Sequence, residues 1–128
     1  MATWPGVTGD VVTSTMWNGL PAFTVATDKT TDYTAASGDQ YQTLIPMNKA
    51  TAVAFKLPTD ATYNFAIGTV ITVLNKGAGT CTISAVTSGT TTVLSAAAVA
   101  ASPTVSQYKT AACVKTAANT WYVLGGIA

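Results

Sequence analysis

The sequence predicts a single all-β domain, an antiparallel β-sandwich or barrel-like fold with an irregular N-terminal arm. Three observations carry that expectation. Threonine is the commonest residue, 25 of 128, followed by 22 Ala and 13 Val, and Thr and Val are stiff at their first side-chain torsion and fit a pleated surface better than a helix. Short alternating apolar segments recur between turn signals from about residue 30 onward. The residues that usually solvate surface helices are missing: Glu and Arg are absent and only 9% of residues are charged, against roughly 25% in an ordinary soluble domain.

Residues 1–27 read as a separate docking arm and 28–128 as the β-domain. In the arm, Trp4-Pro5-Gly6 and Thr8-Gly9-Asp10 are turn punctuation, Val11-Val12-Thr13 is a short extended piece, and Ser14 to Pro21 reads as one helical turn capped by Ser14 and ended at Gly19. Pro and Gly break any long element there, yet the segment carries Trp4, Met16, Trp17 and Leu20, which are costly to leave in water. Trp4, Val11, Val12, Met16, Trp17 and Leu20 are therefore the candidate partner-docking residues. The alternative is that Trp4 and Trp17 fold back and close one end of the core.

Gln40 to Ile45 reads as a strand stopped by Pro46, and Thr51 to Leu57 as a strand with Val53, Phe55 and Leu57 on one face. Thr69 to Asn75 is a near-continuous apolar run, as expected of a strand buried on both sides. Asn75-Lys76-Gly77-Ala78-Gly79 is a tight connection into Thr80 to Ala85, where Cys81 and Ile83 alternate with Thr80, Thr82 and Ser84. Residues 69–85 thus predict a central hairpin. Thr91 to Leu94 is a short strand, Ala96 to Pro103 a loose connection, Ser106 to Thr116 a long strand, Ala117 to Thr120 its turn, and Trp121 to Leu124 the last strand. The expected core comprises Val53, Phe55, Ile71, Val73, Ile83, Val114 and Trp121. No repeat of fixed period is present.

The composition also bounds function. Without His there is no Ser-His-Asp triad, no Cys-His pair and no His-ligated metal. Without Arg there is no bidentate fork for phosphate or carboxylate. A thinly spread net charge of +1 gives no footprint for nucleic acid. Neither a signal peptide nor a run long enough to cross a bilayer is visible. The five Asp sit in turn-like stretches; Asp28 with Asp32 offers oxygen ligands to calcium, but lacks the acidic density of a dedicated site. Lys76-Gly77-Ala78-Gly79-Thr80 lacks the order of a phosphate-binding loop. Tyr33, Tyr41, Tyr63 and Phe65 read as rims of the core, with a glycan-stacking surface as the alternative. Cys81 and Cys113 read as buried free thiols of a reducing compartment, with a bridge between neighbouring strands as the alternative. The expectation is a non-enzymatic protein with no cofactor and no metal. A Thr-rich, weakly charged exterior packs against a neighbouring subunit at small desolvation cost.

From Asp32 to Gly125 the residues resemble a β-module of tailed-bacteriophage fibres and other virion surface proteins. The resemblance rests on "DYTAASGDQYQTLIPMNKATAVAFKLP", on "IGTVITVLNKGAGTCTIS", on a Val-Leu strand near 93, and on the ending "YKTAACVKTAANTWYVLGG", whose Asn119, Trp121 and Gly125 match the module's final hairpin. The opening "WPGVTGDVVTSTMWNGL" is similar to the particle-attachment segments of phage tail and fibre proteins. The resemblance implies a virion protein assembled in the host cytoplasm. Its partners would be other phage structural proteins, either the major capsid protein or tail and collar proteins, and it would form a homotrimer without nucleic acid or membrane. Fibres continue into long shafts or receptor-binding tips. A chain that holds the module and little more points to a capsid decoration (cement) protein, with a short tail, collar or head fibre, or a small carbohydrate-binding module, as the alternatives.

Overall fold

The protein is described from a computed structural model covering residues 24–40 and 43–128. Ten strands are present among these residues: β1 (Thr24–Val25), β2 (Tyr33–Thr34), β3 (Thr43–Met47), β4 (Val53–Leu57), β5 (Val70–Asn75), β6 (Cys81–Ala85), β7 (Thr92–Ser95), β8 (Thr104–Val105), β9 (Thr110–Ala117) and β10 (Thr120–Gly125). A 3-10 turn spans Ser37–Gln40. The strands form two sheets, one in the order β1-β3-β5-β9-β10-β7 and the other in the order β2-β4-β6-β8. One apolar core lies between them, with Ile45, Val73 and Trp121 from the first sheet and Phe55 and Ile83 from the second. The all-β, two-sheet architecture is the expected one.

The way the chain fills the two sheets differs from expectation. Of the eight strand pairings, five are parallel and three antiparallel. The first six strands alternate between the sheets, so β1, β3 and β5 lie parallel in one and β2, β4 and β6 parallel in the other. Thr24 lies beside Thr43 and Thr43 beside Ile71, while Tyr33 lies beside Phe55 and Phe55 beside Ile83. The chain therefore winds around the core in three coils. Short connections suffice for parallel pairing here, because each coil crosses to the other sheet before returning. The winding then stops: β8 pairs antiparallel with β6, β9 antiparallel with β5, and β9 and β10 form a hairpin.

The expected hairpin over residues 69–85 is consequently a crossover. β5 and β6 belong to different sheets, and residues 76–80 cross the edge between them. This connection stacks on the equivalent one of the preceding coil: Lys76 N and Gly77 N donate to Met47 O at 2.8 and 3.2 Å, and Gly79 N donates to Lys49 O at 3.0 Å. That earlier connection in turn meets the first coil, where Lys29 N donates to Pro46 O and Asn48 N to Lys29 O, both at 2.8 Å. A Cβ on Gly77 would collide with the backbone of Lys49, and one on Gly79 with the backbone of Thr51. Only glycine allows the two connections to approach this closely. The fully buried Asn75 fixes the crossover. Its Nδ2 donates to Gly79 O at 2.8 Å and to Val105 O at 2.7 Å, and its Oδ1 accepts from Gly77 N at 3.1 Å.

Two further expectations change. β5 is not buried on both sides: Ile71, Val73 and Asn75 face the core while Val70 is exposed and Thr72 and Leu74 are half-buried. On β9 the buried face is Ala111, Cys113 and Lys115, and Val114 lies half-buried on the outer face. Val114 is therefore not a core residue, because its neighbour Lys115 takes the inward position. β3 also runs through Pro46 to Met47. A strand residue directs its N and its carbonyl to the same side, and the Pro46 carbonyl accepts from Lys29. The missing N–H thus faces the short first coil, where the ladder has few acceptors. The other six expected core residues, Val53, Phe55, Ile71, Val73, Ile83 and Trp121, are all buried.

Candidate functional site

The outer face of the six-stranded sheet is the first feature that bears on function. Val70 on β5, Val114 on β9, Tyr122 on β10 and Leu94 on β7 form one cross-strand row through their register. Leu44, Thr72, Ala112 and Leu124 form the next row. Val70 and Tyr122 are each 42% exposed and Leu124 is 55% exposed. The six strands contain a single charged residue, Lys115, and it points into the core. This face therefore presents Val, Leu, Tyr, Ala and Thr with no charge. The outer face of the four-stranded sheet is different: Thr34, Thr82, Ser84 and Thr104 surround Ala54 and the half-buried Lys56. One side of the sandwich is thus solvated by hydroxyls and an ammonium. The other is an apolar sheet surface of the kind that marks interaction sites.

The second feature is the environment of Lys115. Its side chain is 1% exposed. The Nζ donates to Asp60 Oδ1, to Asn64 Oδ1 and to the Phe65 carbonyl, each at 2.7 Å. All three donors of the ammonium are thereby used. Asp60 is held in place by the β9–β10 turn: its N donates to Asn119 Oδ1 at 2.8 Å, and its Oδ2 accepts from Asn119 N at 3.0 Å. Asn119 occupies the left-handed region at φ 49°, which Asn tolerates better than most residues. The loop between β4 and β5 is also tied to β9 through the backbone: Gly68 N donates to Lys115 O at 2.7 Å and Lys115 N to Thr69 O at 3.0 Å. Phe65 stacks edge-on against Trp121 at 5.6 Å and against Tyr63 at 4.5 Å. A cavity of about 410 Å³ opens beside the cluster, lined by Gln40, Asp60, Asn64, Ile67, Lys115 and Ala118 among others.

The remaining polar groups act in local structure. Asp28 receives Lys76 Nζ at 2.9 Å and Asn48 Nδ2 at 3.0 Å; the Lys76 and Asn48 hydrogen bonds hold its carboxyl below the usual range. Asp32 Oδ1 accepts from Ala54 N at 2.9 Å. These two aspartates stitch neighbouring coils together. Asp39 accepts from Tyr33 OH at 2.7 Å and from Ala36 N at 2.8 Å. Burial, and then the Asp39 bond, push the Tyr33 hydroxyl up to about 12. Phe65 lies in the core, and Tyr33 and Tyr63 are half-buried against it and Phe55, so these three rings do not form an exposed platform. Cys81 and Cys113 are buried and free. Burial is the main force pushing both thiols up, Cys81 to about 11.

The docking residues read from the sequence, Trp4, Val11, Val12, Met16, Trp17 and Leu20, lie outside the described residues, as does Tyr41. The uncharged sheet face and the Lys115 cluster were not singled out as sites by the sequence. The signal for the second was the position of Lys115 in strict alternation with Ala111 and Cys113. No known protein family, curated protein or solved structure matches this chain. The likeness to phage surface modules rests on the sequence motifs alone.

Proposed function

We propose that the protein is a non-enzymatic structural subunit of a tailed-bacteriophage particle, a capsid decoration protein that packs as a homotrimer. The observation that carries this reading is the uncharged outer face of the six-stranded sheet. Further copies of the same chain are its occupant. A face without charges meets its own copy with no like-charge repulsion and little desolvation cost, and the flanking exposed residues Tyr122 and Leu124 supply the apolar anchors. The segment that precedes β1 then docks on the major capsid protein through Trp4 and Trp17. The sparse ionisable groups support a non-enzymatic role: Lys115, Asp28, Asp32, Asp39 and Asp60 are each engaged in structural hydrogen bonds.

The test is the location and copy number of the protein in purified particles. Decoration predicts copies in a fixed ratio to the major capsid protein, and loss of particle binding in the full-length Trp4→Ala/Trp17→Ala variant with the trimer intact. A few copies per particle, confined to the tail or collar, would replace decoration with the short-fibre reading. Absence from particles would reject both.

A further inference from the structure

We infer that Lys115 and Asn64 are the two ends of an intramolecular isopeptide cross-link, with Asp60 as the proton carrier for its formation. The groups required for such a bond are a lysine amine, a carboxamide within its reach, and a carboxyl group touching the nucleophile to carry its protons; here the amine is buried, Asp60 is part-buried and Asn64 is exposed. Here Lys115 Nζ sits 2.7 Å from Asn64 Oδ1 and 2.7 Å from Asp60 Oδ1, and its side chain is 1% exposed. The electrophilic Cγ of Asn64 lies one carbonyl bond beyond the contacted oxygen, about 1.2 Å. A rotation of the Asn64 side chain therefore brings nitrogen and carbon into attack range without moving the backbone.

The step balances without an oxidant or any co-reactant. The Lys115 ammonium gives one proton to the Asp60 carboxylate, and the free amine attacks Asn64 Cγ, forming the new C–N bond. Asp60 passes its proton to the departing Asn64 amide nitrogen and takes one from the attacking nitrogen. The tetrahedral centre collapses, the old C–N bond breaks, and ammonia leaves through the adjoining cavity, which Asn64 and Lys115 both line. Ammonia carries away the last proton as ammonium and Asp60 returns to its carboxylate. The product would covalently join the β4–β5 loop to β9. This inference stands independently of the proposed function.

Intact-mass measurement of the purified full-length protein, followed by tryptic mapping, tests it without any substitution. The expected protein is lighter than its sequence by one ammonia. Trypsin should not cut after Lys115, and the peptide 57–76 should be joined to the peptide 110–128. The Asp60→Asn variant should retain its full mass and release both peptides separately. A wild-type protein of full mass, cleaved normally after Lys115, overturns the inference. Loss of water instead of ammonia overturns it by moving the bond to Asp60. Loss of ammonia with normal cleavage after Lys115 also overturns it, because the loss then comes from another asparagine such as Asn18, which precedes Gly19.

Discussion

At the scale of single residues, the stability of the domain depends strongly on how a few polar groups are accommodated inside it. Lys115 is buried with Asp60, whose side chain keeps 18% exposure, and removing one member of such a pair leaves the other poorly solvated. In an Asn64→Ala background, where the ion pair remains and no cross-link forms, Lys115→Met is expected to cost about 3 kcal/mol, the low end for a buried pair, read as a lowered urea midpoint. Lys76→Met at the exposed pair with Asp28 should leave that midpoint nearly unchanged. The thiols and Tyr33 predict an alkaline limit. Cys81 rises from an ordinary 9.0 to about 11 and Tyr33 from 10.0 to about 12, so the folded state holds these protons more tightly than the unfolded state. Their contribution is complete below about pH 9 and is lost as pH climbs through 11 and 12. The urea midpoint should be flat to pH 9 and fall above it; a midpoint constant to pH 11 would contradict the assigned burial. Burial of Cys81, Ile83 and Phe55 was legible from alternation alone. The face of β9 was not, because a lysine in a strand ordinarily points to water. Only Asp60, Asn64 and the Phe65 carbonyl, contributed by a loop about 50 residues away, make the inward position of Lys115 affordable.

At the scale of elements, the same turn chemistry serves two topologies. Residues 75–79 carry the Asn, Lys and Gly signals of a hairpin turn, and the strands on either side are real. What decides between a hairpin and a crossover is the fit of Gly77 and Gly79 against Lys49 and Thr51, a contact between coils that no local window contains. Gly79→Ala is therefore expected to destabilise the domain by about 1–3 kcal/mol or more, whereas Gly38→Ala, with open space around it, should stay within about 0.5 kcal/mol. Equal effects of the two substitutions on thermal melting would show that the crossover does not pack as described. The final hairpin was legible because its determinants are local: alternation in both strands, and Asn119 in the turn at positive φ.

At the scale of the whole molecule, the coiled path was hidden because its coils are unequal in length: Thr24, Thr43 and Ile71 share a register row without a constant interval. Low charge was legible from composition, but its concentration on one sheet was not, since β1, β3, β5, β9, β10 and β7 come together only through the fold. That uncharged face carries the proposed assembly, and sedimentation equilibrium of the full-length protein tests it most directly. Wild-type protein should sediment as a trimer. Tyr122→Lys/Leu124→Lys, which places two charges on the face without entering the core, should sediment as a monomer with a melting transition as cooperative as before. A wild-type protein that is monomeric at every concentration, or a double variant that remains trimeric, would contradict the account.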